Sequence, residues 1–182
     1  MRRFALPLAV SALLLVLAVP ASAFELRSPD VAEGATLTQA QVFSGFGCKG
    51  ENVSPALTWT GAPPGTKSFA LTVYDPDAPT GSGWWHWIVF DLAATTDALP
   101  KGVGQSAKLP AGARQGRNDF GTTGFGGACP PAGDKPHRYI FTIYALKVDK
   151  LEVAPDASAA LVGFMINANQ IGKASITARY GR

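Results

Sequence analysis

Histidine, cysteine and clustered charge are all scarce in this chain of 182 residues, which contains two histidines and two cysteines. The histidines show no H-x-x-x-H or H-x-H spacing that would indicate a metal-binding segment, and no G-x-S-x-G sequence marks a serine nucleophile. No run of lysine or arginine suggests a nucleic-acid surface, although the formal net charge is +3. After residue 23, no segment is apolar and long enough to cross a bilayer. These absences direct attention to the few histidines and their neighbours.

No cofactor is predicted from the glycine-rich stretches. A literal G-x-G-x-x-G runs from Gly45 to Gly50, but Asn52, Ser54 and Pro55 follow it, and these are turn residues. A dinucleotide fingerprint would instead open a helix directly after a strand. The sequence also shows no internal repeat, low-complexity tract or linker, which predicts one domain over residues 24–182.

The first 23 residues have the pattern of a cleaved signal peptide. Arg2 and Arg3 form a basic start, residues 9–19 are apolar, and Ala21-Ser22-Ala23 is an A-x-A cleavage sequence. We therefore predict export to the periplasm or beyond, with cleavage between Ala23 and Phe24. An uncleaved anchor is the alternative, and Pro20 and the small residues favour cleavage.

The two cysteines, Cys48 and Cys129, both lie in the predicted mature chain. In an oxidising compartment such a pair favours a disulfide, which would close a loop of about 80 residues. Two buried free thiols are the alternative.

Alternating apolar and polar residues predict a mainly β protein. His137 to Leu146 alternates most clearly, and Phe69, Leu71 and Val73 share one face of an earlier strand. The segment 116–136 is a long loop. The predicted strands are Ala56–Thr60, Lys67–Tyr74, Trp84–Phe90, His137–Leu146 and Lys173–Tyr180, with shorter ones at Thr38–Phe43 and Ser106–Leu109.

One clear helix is predicted in the C-terminal region. It covers residues 157–169, with Asp156 as its N-cap. The side chains at helical spacing are Leu161, Phe164, Met165 and Ala168.

Both histidines lie at the start of a predicted strand. His86 and His137 each begin a predicted strand directly after a loop rich in glycine or proline, and Asp75 ends a third strand. If these strands are neighbours, two imidazoles and a carboxylate lie at one end of the sheet. Gly124, Gly126 and Gly127 would allow backbone N–H groups to approach a ligand. The pattern predicts a small anion pocket in which Asp75 holds one imidazole in a fixed tautomer or raises its pKa.

Three ordered motifs then carry a family resemblance: Asp75-Pro-Asp-Ala-Pro79, Trp84-Trp-His-Trp-Ile-Val89, and Gly126-Gly-Ala-Cys-Pro-Pro131 leading to His137-Arg-Tyr139. They resemble the phosphatidylethanolamine-binding protein family, in its bacterial Raf-kinase-inhibitor-like branch. The resemblance implies a large sheet packed on a smaller one, with one helix, short helical turns and a pocket for phosphate or carboxylate groups. It also implies that a Cys129–Cys48 bridge would tether the pocket rim. The pocket residues that it implies are Asp75, His86, Gly127, Pro130, His137 and Tyr139.

The preferred interpretation is an exported, non-enzymatic binding protein for a small anion or a phospholipid headgroup. Three alternatives stay open. Ser82 or Ser54 with His86 and Asp75 would supply the residue types of a hydrolase triad. Both histidines with Asp75 would supply three ligands for zinc. Surface loops would serve an inhibitor of a protease or of a host protein.

Overall fold

The structure is a computed structural model that describes residues 23–105, 108–155 and 157–182. The predicted signal peptide up to residue 22, the first two residues of the predicted strand at 106–109, and Asp156 lie outside the described residues. Lys108 and Leu109 belong to no strand.

Strands dominate the described chain, and one α-helix follows the ninth of them. The elements are β1 (Glu25–Arg27), β2 (Ser44–Gly45), β3 (Cys48–Lys49), β4 (Leu57–Thr60), β5 (Ser68–Asp75), β6 (Trp84–Ala93), β7 (Ala98–Leu99), β8 (Arg114–Gln115), β9 (His137–Leu146), α1 (Ala159–Asn169) and β10 (Gln170–Tyr180). Residues Gln39–Gln41 form a short 3-10 turn where a strand was predicted at residues 38–43, so that prediction is wrong.

Two antiparallel sheets face each other across the main core. The large sheet has the strand order β10-β9-β5-β6-β8, and the small sheet has the order β1-β4-β7. Leu57 and Trp59 of the small sheet pack with Leu71, Val89 and Phe141 of the large one, and all five side chains are buried. Each such side chain contributes roughly 1.5–3 kcal/mol on burial. The predicted mainly β fold, with a large sheet on a smaller one, is confirmed.

Helix α1 covers the opposite face of the large sheet. Ser158 caps it, because its side-chain oxygen accepts a hydrogen bond from the Leu161 backbone N–H at 3.3 Å. Val162 and Ile166 are buried against the sheet, whereas Leu161 and Phe164 are 47% and 67% exposed. Of the residues noted at helical spacing, Met165 packs against the core between helix and sheet, whereas Leu161 and Phe164 do not. The helix is apolar on nearly all sides, so its periodicity does not single out one face.

A glycine allows α1 to approach the sheet closely. A Cβ atom on Gly163 would lie 3.2 Å from the indole of Trp85, so that the helix approaches this ring closely only where a side chain is missing. No helix among the described residues has the length and apolar character needed to span a bilayer.

The hairpin of β2 and β3, residues 44–49, is fastened to the loop that precedes β9. Cys48 and Cys129 form a disulfide, which confirms the predicted bridge. The guanidinium of Arg182 adds further ties, because its Nε donates to the Pro130 carbonyl at 2.7 Å and its terminal nitrogens donate to the carbonyls of Phe46 and Gly47 at 3.3 Å. The hairpin is thus held at β3 by the disulfide and at its turn by Arg182.

Candidate ligand-binding site

A cavity of about 260 Å³ lies where β5 ends and where β6 and β9 begin. The two histidines and the carboxylate that the sequence singled out surround this one space. The predicted site residues that line it are Asp75, His86, Pro130, His137 and Tyr139. Their role in holding a ligand remains a prediction.

His86 reaches the cavity because β6 carries a bulge at this position. Val73 of β5 pairs with Trp87, and the next residue, Tyr74, pairs with Trp85, so that His86 is an extra residue in the register. Such a bulge changes the face to which a side chain points. Trp87 consequently joins the core between the sheets and Trp85 the core beneath α1, while His86 lines the cavity.

Asp75 and His137 form a buried pair on the cavity wall. Oδ1 of Asp75 accepts the backbone N–H groups of Asp77 and Ala78 at 2.8 and 3.1 Å, and Oδ2 lies 2.8 Å from Nδ1 of His137. Because the carboxylate is an acceptor, the His137 proton is assigned to Nδ1, which donates to Oδ2. The other ring nitrogen, Nε2, lies 3.4 Å from Oδ2 of Asp134. Both nitrogens of this ring therefore face carboxylate oxygens.

A second carboxylate fastens the loop that follows β5. Asp77 accepts hydrogen bonds from the Arg138 side chain at 2.6 and 2.9 Å and from the Arg138 backbone N–H at 2.9 Å. These bonds lower the pKa of Asp77 to about 2. The pair ties the end of β5 to the start of β9, where Asp75 and His137 lie.

The environment of His86 keeps its ring neutral. Its Nδ1 lies 2.7 Å from the carbonyl oxygen of Gly126, to which it donates, and its Nε2 is buried without a partner. Burial lowers the pKa of His86 below its ordinary value, although the Gly126 carbonyl and the Asp75 charge act in the opposite direction. Since Nδ1 holds the proton, Nε2 presents a lone pair.

Two other residues of the lining, Tyr139 and Trp84, each have a buried polar atom without a partner: the Tyr139 hydroxyl and Nε1 of Trp84. The rings of Tyr139 and His86 meet edge to face, with centroids 5.1 Å apart. Burial raises the pKa of Tyr139, so its hydroxyl keeps its proton. A buried polar atom without a partner costs on the order of 1–3 kcal/mol, and several around one cavity indicate a site for a polar ligand.

Gly127 does not line the cavity, in contrast to the prediction. Its N–H donates to Oδ1 of Asn52 at 2.6 Å, and the N–H of Gly126 donates to the His86 carbonyl at 2.9 Å. A Cβ atom on Gly127 would lie 2.3 Å from the Gln41 carbonyl oxygen. The glycines of this loop therefore permit close backbone packing, and these two N–H groups are not available to a ligand.

Sequence reasoning missed the aromatic walls of the site. Phe46 and Phe120 line the cavity, with ring centroids 5.7 Å apart, and Phe120 lies 5.5 Å from the His86 ring. Both phenylalanines stand beside glycines, in Gly45-Phe-Gly47 and Phe120-Gly121. A bulky apolar residue in a glycine-rich loop was itself a signal of such a wall.

The hydrolase alternative finds no support in the geometry. Asp75 bonds His137 and leaves His86 without a carboxylate partner. Ser54 is fully buried, with its hydroxyl oxygen accepting the Gly104 N–H, and no serine of the described chain lines the cavity. The zinc alternative lacks a donor set too, since no three His, Cys, Asp or Glu side chains within the described ranges are grouped as metal ligands are.

Comparison with known proteins places the chain in a family. The model of the family described as phosphatidylethanolamine-binding protein matches residues 27–181. The chain belongs to the phosphatidylethanolamine-binding protein family. It is 60% identical over 162 residues to the UPF0098 protein YbcL of Escherichia coli (strain K12), a match that covers 88% of each chain. It is 50% identical over 157 residues to the UPF0098 protein YbhB of the same organism, covering 86% of this chain and 99% of the relative.

Solved structures show the same fold. The crystal structure of E. coli YbcL, described as a new member of the mammalian PEBP family, matches with a TM-score of 0.86 and 59% identity, covering 87% of this chain and 98% of that one. A carboxypeptidase Y inhibitor complexed with its cognate proteinase matches with a TM-score of 0.51 and 21% identity, over 89% of this chain and 84% of that one. At that identity the likeness shows the fold alone.

Proposed function

We propose that this family member is an exported, non-enzymatic binding protein whose cavity takes a phosphate group or a similar small anion, either free or as a lipid headgroup. The observation that carries the proposal is the set of buried, unpartnered polar atoms around one cavity: Nε2 of His86, the Tyr139 hydroxyl and Nε1 of Trp84. Export is supported by the predicted signal peptide and by the disulfide, since such bridges persist in oxidising compartments.

The three atoms suit a singly protonated phosphate. Trp84 Nε1 can only donate, the Tyr139 hydroxyl can donate or accept, and Nε2 of neutral His86 can only accept. A phosphate monoanion offers oxygen acceptors to the first two and its P–OH to the third. If the dianion binds, His86 takes up a proton at Nε2. In both arrangements the complex holds one proton more than the neutral ring and the dianion do separately, so the affinity should fall as the pH rises from 6 to 8.

A hydroxyl without a partner in the free protein allows a clean test. Tyr139→Phe removes a hydroxyl that makes no hydrogen bond of ordinary length to the protein, although the Cys129 backbone lies near it, so the free energy of unfolding should change little. The affinity for inorganic phosphate and phosphoryl-ethanolamine, measured by titration calorimetry, should fall about tenfold, the value of one hydrogen bond to a charged group.

Tyr74→Phe is the matched control, because the Tyr74 hydroxyl donates to the Ser82 carbonyl at 2.7 Å and does not line the cavity. It should lower stability by about 1 kcal/mol and leave affinity unchanged. If neither anion binds the wild-type protein, or if Tyr139→Phe binds both equally well, the proposal is wrong.

His137→Ala is a poorer probe. The ring is only 4% exposed and bonds the buried Asp75. Its removal would leave that carboxylate short of a donor and would destabilise the fold as well as the site. The inhibitor alternative remains a prediction without an observation in its favour.

A further inference from the structure

The polar atoms of the cavity occupy only part of its wall. Trp84 Nε1, His86 Nε2 and the Tyr139 hydroxyl mark its polar part, whereas much of the lining that remains is apolar and includes Phe46, Pro79, Phe120 and Pro131. The cavity volume of about 260 Å³ equals that of several water molecules, at about 30 Å³ each. A bare four-oxygen anion would fill only a fraction of it and would leave the apolar wall wet.

Phe46 is placed where it contributes little to folding. Its side chain is 68% exposed, and its backbone has φ +50°, a left-handed conformation that bulky residues rarely adopt. Such a conformation costs roughly 1–2 kcal/mol. An exposed phenylalanine that gains little burial does not offset this cost, so the fold itself gives no reason for the residue.

The hairpin nevertheless holds Phe46 firmly over the cavity. The Cys48–Cys129 bridge follows it by two residues, and a terminal guanidinium nitrogen of Arg182 donates to its carbonyl at 3.3 Å. Its ring lies with centroid distances of 5.6 Å to Phe43 and 5.7 Å to Phe120. A surface fixed before binding loses little conformational entropy when a ligand covers it.

Phe120 connects this ring with the polar part of the cavity. Its centroid is 5.7 Å from Phe46 on one side and 5.5 Å from the His86 ring on the other. A substituent on an anion held at His86 would therefore pass over Phe120 and reach Phe46. The two residues that line this path, Phe120 and Phe46, both present apolar rings, which suit saturated carbon.

We propose that Phe46 and Phe120 form an apolar subsite, and that the ligand is an acid carrying a short saturated carbon chain, such as an alkyl phosphate. The acid group lies at His86 and Tyr139, and the chain lies against the two phenylalanine rings. This inference rests on the proposed function, because it assumes that the anion is held at the polar part of the cavity. It adds that the chain, rather than the acid group alone, determines which ligand is selected.

The test compares inorganic phosphate with methyl, butyl and hexyl phosphate by titration calorimetry at constant pH and salt. For the wild-type protein the affinity should rise by about two- to fourfold per methylene, the value for partial to full burial of a CH₂ group. Phe46→Ala should flatten this dependence while inorganic phosphate binds within about twofold of wild type. Phe46→Leu, which keeps an apolar side chain, should restore part of the dependence.

Phe164→Ala is the matched control, since Phe164 is 67% exposed on α1 and does not line the cavity. It should show the wild-type dependence on chain length. A flat wild-type series with inorganic phosphate still bound would overturn the apolar subsite and leave the proposed function standing. An unchanged series in Phe46→Ala would also overturn it. Failure of every anion to bind would refute the proposed function itself.

Discussion

Removal of the Cys48–Cys129 bridge should strongly destabilise this protein. The two cysteines are separated by 81 positions, so the bridge closes a long loop in the unfolded chain. In the chain-entropy model, a loop of this length corresponds to about 4.5 kcal/mol. Domains of this size have free energies of unfolding of roughly 5–15 kcal/mol, so the bridge accounts for a large share of the total.

The perturbation is the double substitution Cys48→Ser and Cys129→Ser, which leaves no single reactive thiol. Urea unfolding followed by tryptophan fluorescence should give a free energy of unfolding lower by about 4 kcal/mol. It should also give a larger slope with urea concentration, because the unfolded chain without the bridge is more expanded. The melting temperature should fall by roughly 10–15 °C.

Wild-type protein unfolded in the presence of dithiothreitol is the control. It should lose the same free energy, because reduction opens the same loop without changing a side chain. A loss below about 1 kcal/mol in both samples would refute the chain-entropy argument for this bridge. A loss in the serine variant alone would assign the effect to the substitutions.

Three further predictions follow from the electrostatics and packing. Because burial lowers the pKa of His86, its neutral ring is compatible with the fold above about pH 6.5, and the free energy of unfolding should fall as the pH drops below that value. Urea unfolding at pH 7.5 and 5 should show this loss. In His86→Gln, the part of the loss that comes from His86 should disappear. Asp91→Ala should cost about 3 kcal/mol in the same assay, since buried Asp91 accepts from Arg114 at 2.7 Å and from a backbone N–H; a cost below 1 kcal/mol would contradict the role of this pair. On α1, Val162→Ala should cost about 2 kcal/mol, whereas Phe164→Ala should change stability by less than about 0.5 kcal/mol, and the reverse order would show that the helix face is misassigned.

The sequence predicted the long strands that have one apolar face. His137 to Leu146 was predicted with the bounds that the structure has, because its alternation is regular and a side-chain period of two admits only one assignment. The bridge between Cys48 and Cys129 was favoured for a chemical reason, the oxidising destination that the N-terminal pattern predicts. The proximity of Asp75 and His137 was predicted because one strand ends and the other begins at the same edge of the sheet.

Tertiary contacts decided what local pattern leaves undetermined. Strict alternation would direct His86 and Trp87 to opposite faces, and only the pairing with β5 creates the bulge that brings His86 to the cavity. The inward face of α1 is the one where Val162 and Ile166 are buried and Gly163 lies against Trp85, and the apolar composition of the helix did not single it out.

The cavity also depends on long-range partners. The Gly127 N–H is used by Asn52, which is distant in sequence, and the hairpin that carries Phe46 is held by Cys129 and Arg182. The sequence by itself determined the long strands with a regular apolar face and the side chains that carry the chemistry, because those properties are local. The direction of each ring, and the polar atoms left unpartnered, were decided by the tertiary structure, because they depend on contacts between segments far apart in the chain.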